Sequence, residues 1–328
     1  MSDDYLWNRS GTPDPEVERL EKLLAPLAHD APLDELRVAR KRRRPWFVLG
    51  IAVAAAAAAL AIFFALPRDP AACAGGEGFA FTGLGGEVTC GGARVARGVL
   101  PVGELLDTGA NEASLAIADI GSAKLGKQTR VRLDRTDPAR HQLTLDRGHM
   151  HARVIAPPRL FAVSTKHTDV IDLGCEYTID VSESGSGNIC VLSGLVELAT
   201  KSGAIAVAPE GTCAAILAGQ RPGLPHASNA RPELVAAVHA YERGEPDAFD
   251  TLLRVADHRD AITLIALAAI DTRGRVVLER LVELSPPPDA EITVDGALED
   301  PAQLAAWRTD IIEVFIGVYG PAGTKKLP

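Results

Sequence analysis

HQLTLDRGHMHARVIAPPRLFAVST, residues 141–165, alternates apolar and polar positions, and two neighbouring stretches do the same: ASLAIADIGSAKLGKQTRVRLDR (113–135) and CEYTIDVSESGSGNICVLSGLVELAT (175–200). A period of two sends successive side chains to opposite faces of a strand, so each stretch reads as strands with one face on a core. SESGSGN, residues 182–188, reads as a hairpin loop between two of them. With turn residues every ~8–12 positions, the region 98–225 predicts an all-β domain: an antiparallel sandwich, a roll or a closed β-helix-like barrel.

Downstream, from Arg231 to residue 328, the period lengthens to about 3.6 and predicts short paired helices. Leu234, Val235, Val238 and Tyr241 form one face, Phe249, Leu252 and Leu253 a second, and Ile262, Ile265 and Leu267 a third. Val276, Val277, Leu281 and Val282 form a fourth, and the last helix carries Leu304, Trp307, Ile311, Val314, Phe315 and Val318. DHRD (257–260), DTRG (271–274) and SPPP (285–288) interrupt the run. A small HEAT-like or bundle arrangement is expected, presenting a groove to an envelope protein or peptide.

Upstream, Trp46–Leu66 reads WFVLGIAVAAAAAALAIFFAL, without a charge or a strongly polar group. At about 1.5 Å per residue it spans roughly 31 Å, the thickness of a bilayer core. Forty-five residues precede it, which argues against a cleaved signal peptide and for a single uncleaved transmembrane helix. Arg37, Arg40, Lys41, Arg42, Arg43 and Arg44 crowd its N-terminal side, while Arg68 beside Asp69 follows it. The positive-inside rule therefore places the N-terminus in the cytosol and exports the rest. In a bacterial cell this is a single-pass inner-membrane protein with periplasmic C-terminal domains.

The charge balance fits that division. The first 45 residues hold 9 acidic and 9 basic groups, so the whole net charge of −9 lies downstream, where nothing advertises nucleic-acid binding. All five cysteines follow the apolar run, in what would be an oxidising compartment. Cys73 and Cys90 flank a Gly-rich stretch that could not hold itself together by apolar burial; they are the favoured bridge within a linker assigned to 67–97. In the 1–45 segment, Asp14 and Pro15 start a helix with Val17, Leu20, Leu23, Leu24 and Leu27 on one stripe. So short a segment cannot bury that stripe alone. Together with Trp7 it reads as a docking element for a cytosolic partner, or alternatively as a helix lying on the inner leaflet.

An ordered set of motifs carries a family resemblance. GELLDTG (103–109), SLAIADIGSAKL (114–125), TRVRL (129–133), LTLDRG (143–148), FAVST (161–165), LGCEYTIDV (173–181) and VLSGLVEL (191–198) together resemble the FecR domain. Cys175 and Tyr177 stand where that family prefers Thr and Phe. The resemblance implies a membrane sensor that regulates a sigma factor, or another transcription regulator, through its cytosolic N-terminus. On that reading the chain is an anti-sigma-type signal transducer.

Catalytic and cofactor motifs are weaker. GSAKLGKQ (121–128) approaches a phosphate-binding loop, but Gln128 occupies the Ser/Thr position and the residues that follow alternate as a strand, so a turn is the better reading. His149 and His151 share a strand face and could share a metal, with His141 or His167 nearby; two solvent-facing histidines is the simpler account. Glu299 and Asp300 precede Pro301 at a helix start, where they would serve the helix dipole. The expectation is a protein that is not an enzyme and carries no cofactor. A rival expectation is an envelope scaffold or binding module, anchored by its N-terminal helix and gripping protein or peptidoglycan.

Overall fold

The computed structural model describes residues 15–24, 73, 75–218 and 221–319. The transmembrane reading of 46–66 and the basic run before it lie outside these residues, and no described helix is long and apolar enough to cross a membrane. One helix, α1 (Pro15–Leu24), belongs to the N-terminal unit.

The β-domain is built on one long strand. β9 (Arg140–Val154) runs through two sheets, pairing in its first half with β8 (Arg130–Asp137) and in its second with β7 (Gly121–Leu125) and β12 (Glu176–Val181). The crossing point is Gly148, at φ +100°, a conformation that L side chains rarely adopt. A Cβ there would stand 2.3 Å from Thr129 Oγ1 and 2.4 Å from Thr129 Cα. Thr129 fastens the bend, accepting from His149 N at 3.0 Å and donating to His149 O at 3.1 Å.

Sheet I follows the order β4 (Arg97–Pro101), β1 (Gly78–Leu84), β6 (Glu112–Ile117), β7, β9, β12, β13 (Gly187–Ser193), β16 (Thr212–Ile216), β17 (His226–Ala227). Sheet II follows β3 (Ala93–Val95), β2 (Val88–Cys90), β5 (Leu105–Asp107), β8, β9, β10 (Phe161–Ser164), β11 (Thr168–Asp172), β14 (Leu195–Thr200), β15 (Ile205–Pro209). The alternating apolar positions of both sheets meet in one core that includes Leu143, Leu145, Met150, Phe161 and Tyr177, all fully buried.

Two expectations are corrected. The fold is mixed rather than purely antiparallel, because β10 runs parallel to the first half of β9. The chain leaves sheet II along β9 and returns through residues 155–160, so it re-enters beside its own starting point in the same direction. The stretch 67–97 is also not a linker: β1, β2 and β3 lie in it, and Phe79, Phe81 and Val88 are buried in the core. Cys73 and Cys90, each 1% exposed, are bonded, and Cys73 O accepts from Val99 N on β4 at 3.0 Å.

Six α-helices follow among the described residues: α2 (Pro232–Glu242), α3 (Ala248–Val255), α4 (Ala261–Ile270), α5 (Gly274–Leu284), α6 (Val294–Glu299) and α7 (Pro301–Tyr319). DHRD is a 3-10 turn capped by Asp257, which accepts from Arg259 N while its own N–H donates to Asp260. Asp300 caps α7 by accepting from Ala302 N. Buried from Ala261 to Ala268, α4 meets solvent only at its C-terminal end, where Ala269 is exposed, because α5 and α7 pack on it and β15 of the β-domain does too. The buried face of α5 is Gly274, Val277, Leu278 and Leu281, leaving Val276 and Val282 exposed; on α7, Val314 is exposed and Ile312 is buried in its place. The expected stripes hold at Val277, Leu281, Trp307, Ile311 and Phe315 and differ at Val276, Val282 and Val314. Trp307 is fully buried, with Nε1 donating to Ser285 O at 3.1 Å.

The two regions join at residues 223–227. Glu242 Oε1 accepts from Leu224 N at 2.9 Å, and Thr263 Oγ1 donates to Pro225 O at 2.8 Å. Leu195 and Val207 of the β-domain pack against the helical core.

Two outcomes follow from these contacts. Gly148→Ala forces a Cβ into Thr129 and strains a positive φ, and should destabilise the chain by roughly 3 kcal/mol or more, read as a lowered melting midpoint by circular dichroism. Burial pushes the Glu242 carboxyl up to about 7. The folded state then keeps a proton that the unfolded chain has lost, so this group's contribution falls as pH rises from about 4.5 to about 7. Glu242→Gln keeps the acceptor for Leu224 N and should gain about 1–3 kcal/mol at pH ~8 with little change at pH ~4; a loss at pH ~8 would show that the charge is favourable.

Candidate functional site

The expected docking residues Leu20, Leu23 and Leu24 fall within α1; Trp7, Leu27, Arg37, Arg40, Lys41, Arg42, Arg43 and Arg44 lie outside the described residues. Pro15 opens the helix, and Lys22 Nζ meets Glu18 Oε1 at 3.0 Å, one turn apart and exposed. Such a pair adds only a few tenths of a kcal/mol.

In the β-domain the charged and titratable side chains near His149 and His151 gather on the outer face of sheet I. Along β9, Met150 and Ala152 point to the core, so His149, His151 and Arg153 point outward; along β12, Tyr177, Ile179 and Val181 point inward and Glu176, Thr178 and Asp180 outward. The register sets Asp180 opposite His149 and Glu176 opposite Arg153. His149 Nδ1 meets Asp180 Oδ1 at 2.7 Å, and His151 reaches diagonally so that Nε2 meets Glu176 Oε1 at 2.7 Å. Arg153 Nε stands 3.8 Å from Glu176 Oε2.

Each histidine is thus taken by its own carboxylate, and the two do not converge on one cation. No group of three or more metal-ligating side chains occurs among the described residues. His141 is 7% exposed on the core side of β9 beside Phe79, its Nδ1 sharing a hydrogen bond with Thr136 Oγ1 at 2.8 Å. His167 contacts Ser184 O in the β12–β13 loop instead. Next to His149 and Asp180 lies an open groove of about 460 Å³, lined also by Lys127, Ser182, Ser186 and Asn188. Polar side chains stand at its rim, while Gly148, Val181 and Gly187 line it as well and most of its accessible surface is apolar. The phosphate-loop look-alike is a strand and a turn: β7 ends at Leu125 and β8 starts at Arg130.

Sequence reasoning missed three features here. Glu176 and Asp180 as histidine partners were legible as one face of an alternating strand, but their neighbours depended on register. A second disulfide, Cys190–Cys213, joins directly opposed residues of β13 and β16, with Cα atoms 4.1 Å apart. Cys175 is the free thiol, buried, with Sγ 2.6 Å from Asp172 Oδ2. Burial pushes the Asp172 carboxyl up, and burial together with the Asp172 charge pushes the Cys175 thiol far above its ordinary range.

Comparison with known proteins identifies part of this domain. Residues 104–197 match the FecR protein family, a range that runs from β5 to β14 and holds the whole of β9. Two crystal structures of a protein named "putative anti-sigma factor" from Parabacteroides distasonis ATCC 8503, at 1.65 and 2.50 Å resolution, are similar at 16% identity. Their TM-scores are 0.32 and 0.33; the match covers 39% and 40% of this chain, and 60% and 62% of those chains. No curated protein matches.

The Cys175 environment makes an outcome measurable. Held as a buried thiol, Cys175 should react with iodoacetamide at least tenfold more slowly in the native chain than in the denatured chain. Equal rates, read by peptide mass spectrometry, would contradict the buried assignment.

Proposed function

We propose that this chain, with a FecR domain at residues 104–197, is a non-catalytic, single-pass inner-membrane regulator. Its β-domain receives an envelope signal, and its cytosolic segment holds or releases a sigma factor or another transcription regulator. The observation that carries the reading is the FecR match placed behind a basic run and a 21-residue apolar stretch. The polar outer face of sheet I, with its groove beside His149 and Asp180, is where the signal would be received. In the cytosol, Trp7, Leu20, Leu23, Leu24 and Leu27 would contact the regulator.

A second reading, the envelope scaffold, draws on the helical region. That region lies outside the FecR match and exposes Val276, Leu298 and Val314 at 47%, 42% and 58%. It would use the helices to grip an envelope protein.

Cross-linking in intact cells, followed by pull-down and mass spectrometry, separates the two. The native chain should recover a transcription regulator that a Leu20→Asp, Leu24→Asp double variant loses. Recovery of envelope proteins alone, unchanged by the variant, would favour the scaffold.

A further inference from the structure

The two disulfides sit in opposite environments. Cys73 and Cys90 are sealed in the core at 1% exposure. Cys190 and Cys213 are half-buried on the outer face of sheet I, while Ile189, Val191, Ala214 and Ile216 beside them point inward. The bond lies in a cross-strand row that runs Lys124, His151, Thr178, Cys190, Cys213, His226, each residue directly opposite the next. Asn188, exposed at the edge of the groove described above, donates from Nδ2 to Cys190 Sγ at 3.2 Å.

We propose that Cys190–Cys213 is a redox-exchange site, opened by a dithiol reductant that approaches from the outer face of sheet I. Thiol–disulfide exchange requires an attacking thiolate, access to one sulfur, and a leaving sulfur that can carry negative charge. Both cysteines are half-buried on the outer face of sheet I, and the amide of Asn188 favours charge on the Cys190 sulfur. The reductant's thiolate therefore attacks Cys213 Sγ. The S–S bond breaks, and its electron pair leaves on Cys190 Sγ beside the Asn188 N–H. The reductant's second thiol then attacks the mixed disulfide at its own first sulfur and releases Cys213. The reductant ends as a disulfide, and the two protons it gave up end on Cys190 and Cys213.

The position gives the exchange a structural consequence. β16 carries Cys213 and pairs with β17, and residues 223–227 then lead into the helical region through the Glu242 and Thr263 contacts. Oxidised, β16 is bonded covalently to β13; reduced, it keeps its ladder hydrogen bonds and the core packing of Ala214 and Ile216 but loses the covalent tie. The site would thus latch the strand that connects the two regions. Only the compartment that supplies the reductant rests on the export proposed above; the chemistry is a property of the β-domain.

The test uses the purified full-length chain in detergent. It is exposed to increasing dithiothreitol, trapped with iodoacetamide without denaturant, and mapped by peptide mass spectrometry. Cys190 and Cys213 should open at least tenfold faster than Cys73 and Cys90, with the circular dichroism spectrum unchanged. Opening of both disulfides at one rate, or only as the fold melts, would overturn the proposal. Asn188→Ala should slow opening of Cys190–Cys213 about threefold or more while leaving Cys73–Cys90 unaffected; an unchanged rate would overturn the assignment of Cys190 as the leaving sulfur. Amide hydrogen exchange at 212–216 and 226–227 should quicken on reduction, and also in a Cys190→Ser, Cys213→Ser variant. Unaltered protection in both would show that the bond latches nothing.

Discussion

One strand, β9, belongs to two sheets, and it can do so because Gly148 turns against Thr129 with no Cβ between them. Everything else in the β-domain is positioned by that bend. Residues 140–147 align β8 and β10 in sheet II, and residues 148–154 align β7 and β12 in sheet I. The His149 and His151 pairs, the groove beside them and the row that holds Cys190 all take their places from the second half of this strand. The FecR match spans β5 to β14 around it, so the matched region contains the bend together with its partners on both sides.

Much of this was legible because period-two alternation is a local property. HQLTLDRGHMHARV announces one buried face, and the structure buries Leu143, Leu145, Met150 and Ala152. Strand direction is not local, and the parallel entry of Phe161–Ser164 beside β9 left no mark in the alternation. GFAFTGL was hidden for a different reason: small residues and glycine surround Phe79 and Phe81, so the segment looked like a spacer although both rings lie in the core. Register was equally invisible, and it decides that Cys190 faces Cys213 and that each histidine meets a separate carboxylate. In the helices both period and phase were largely readable: Leu234, Val238, Phe249, Leu252, Ile262, Ile265 and Leu267 are buried as their spacing implies, and the misses are at stripe edges. Val276 and Val314 are apolar yet sit one position off the buried stripe.

The two disulfides divide the labour of the β-domain. Cys73 fastens the start of the described β-domain to both sheets, through its sulfur to Cys90 on β2 and through its carbonyl to Val99 on β4. Cys190–Cys213 lies at the far end of sheet I, on the strand that leads toward the helices. The helical region is not an appendage on a loose tether, because α4 is buried between its own neighbours and β15. A disturbance of β16 therefore has a packed path into the helices through residues 223–227.

The proposed relay requires the β-domain to lie outside the cell while residues 1–45 remain inside. Alkaline phosphatase, active only after export, fused after Leu36 and after Ala230, reads this directly. Activity from the Ala230 fusion alone is the expected result. Activity from the Leu36 fusion, or from neither, would contradict a cytosolic N-terminus joined to an exported sensor.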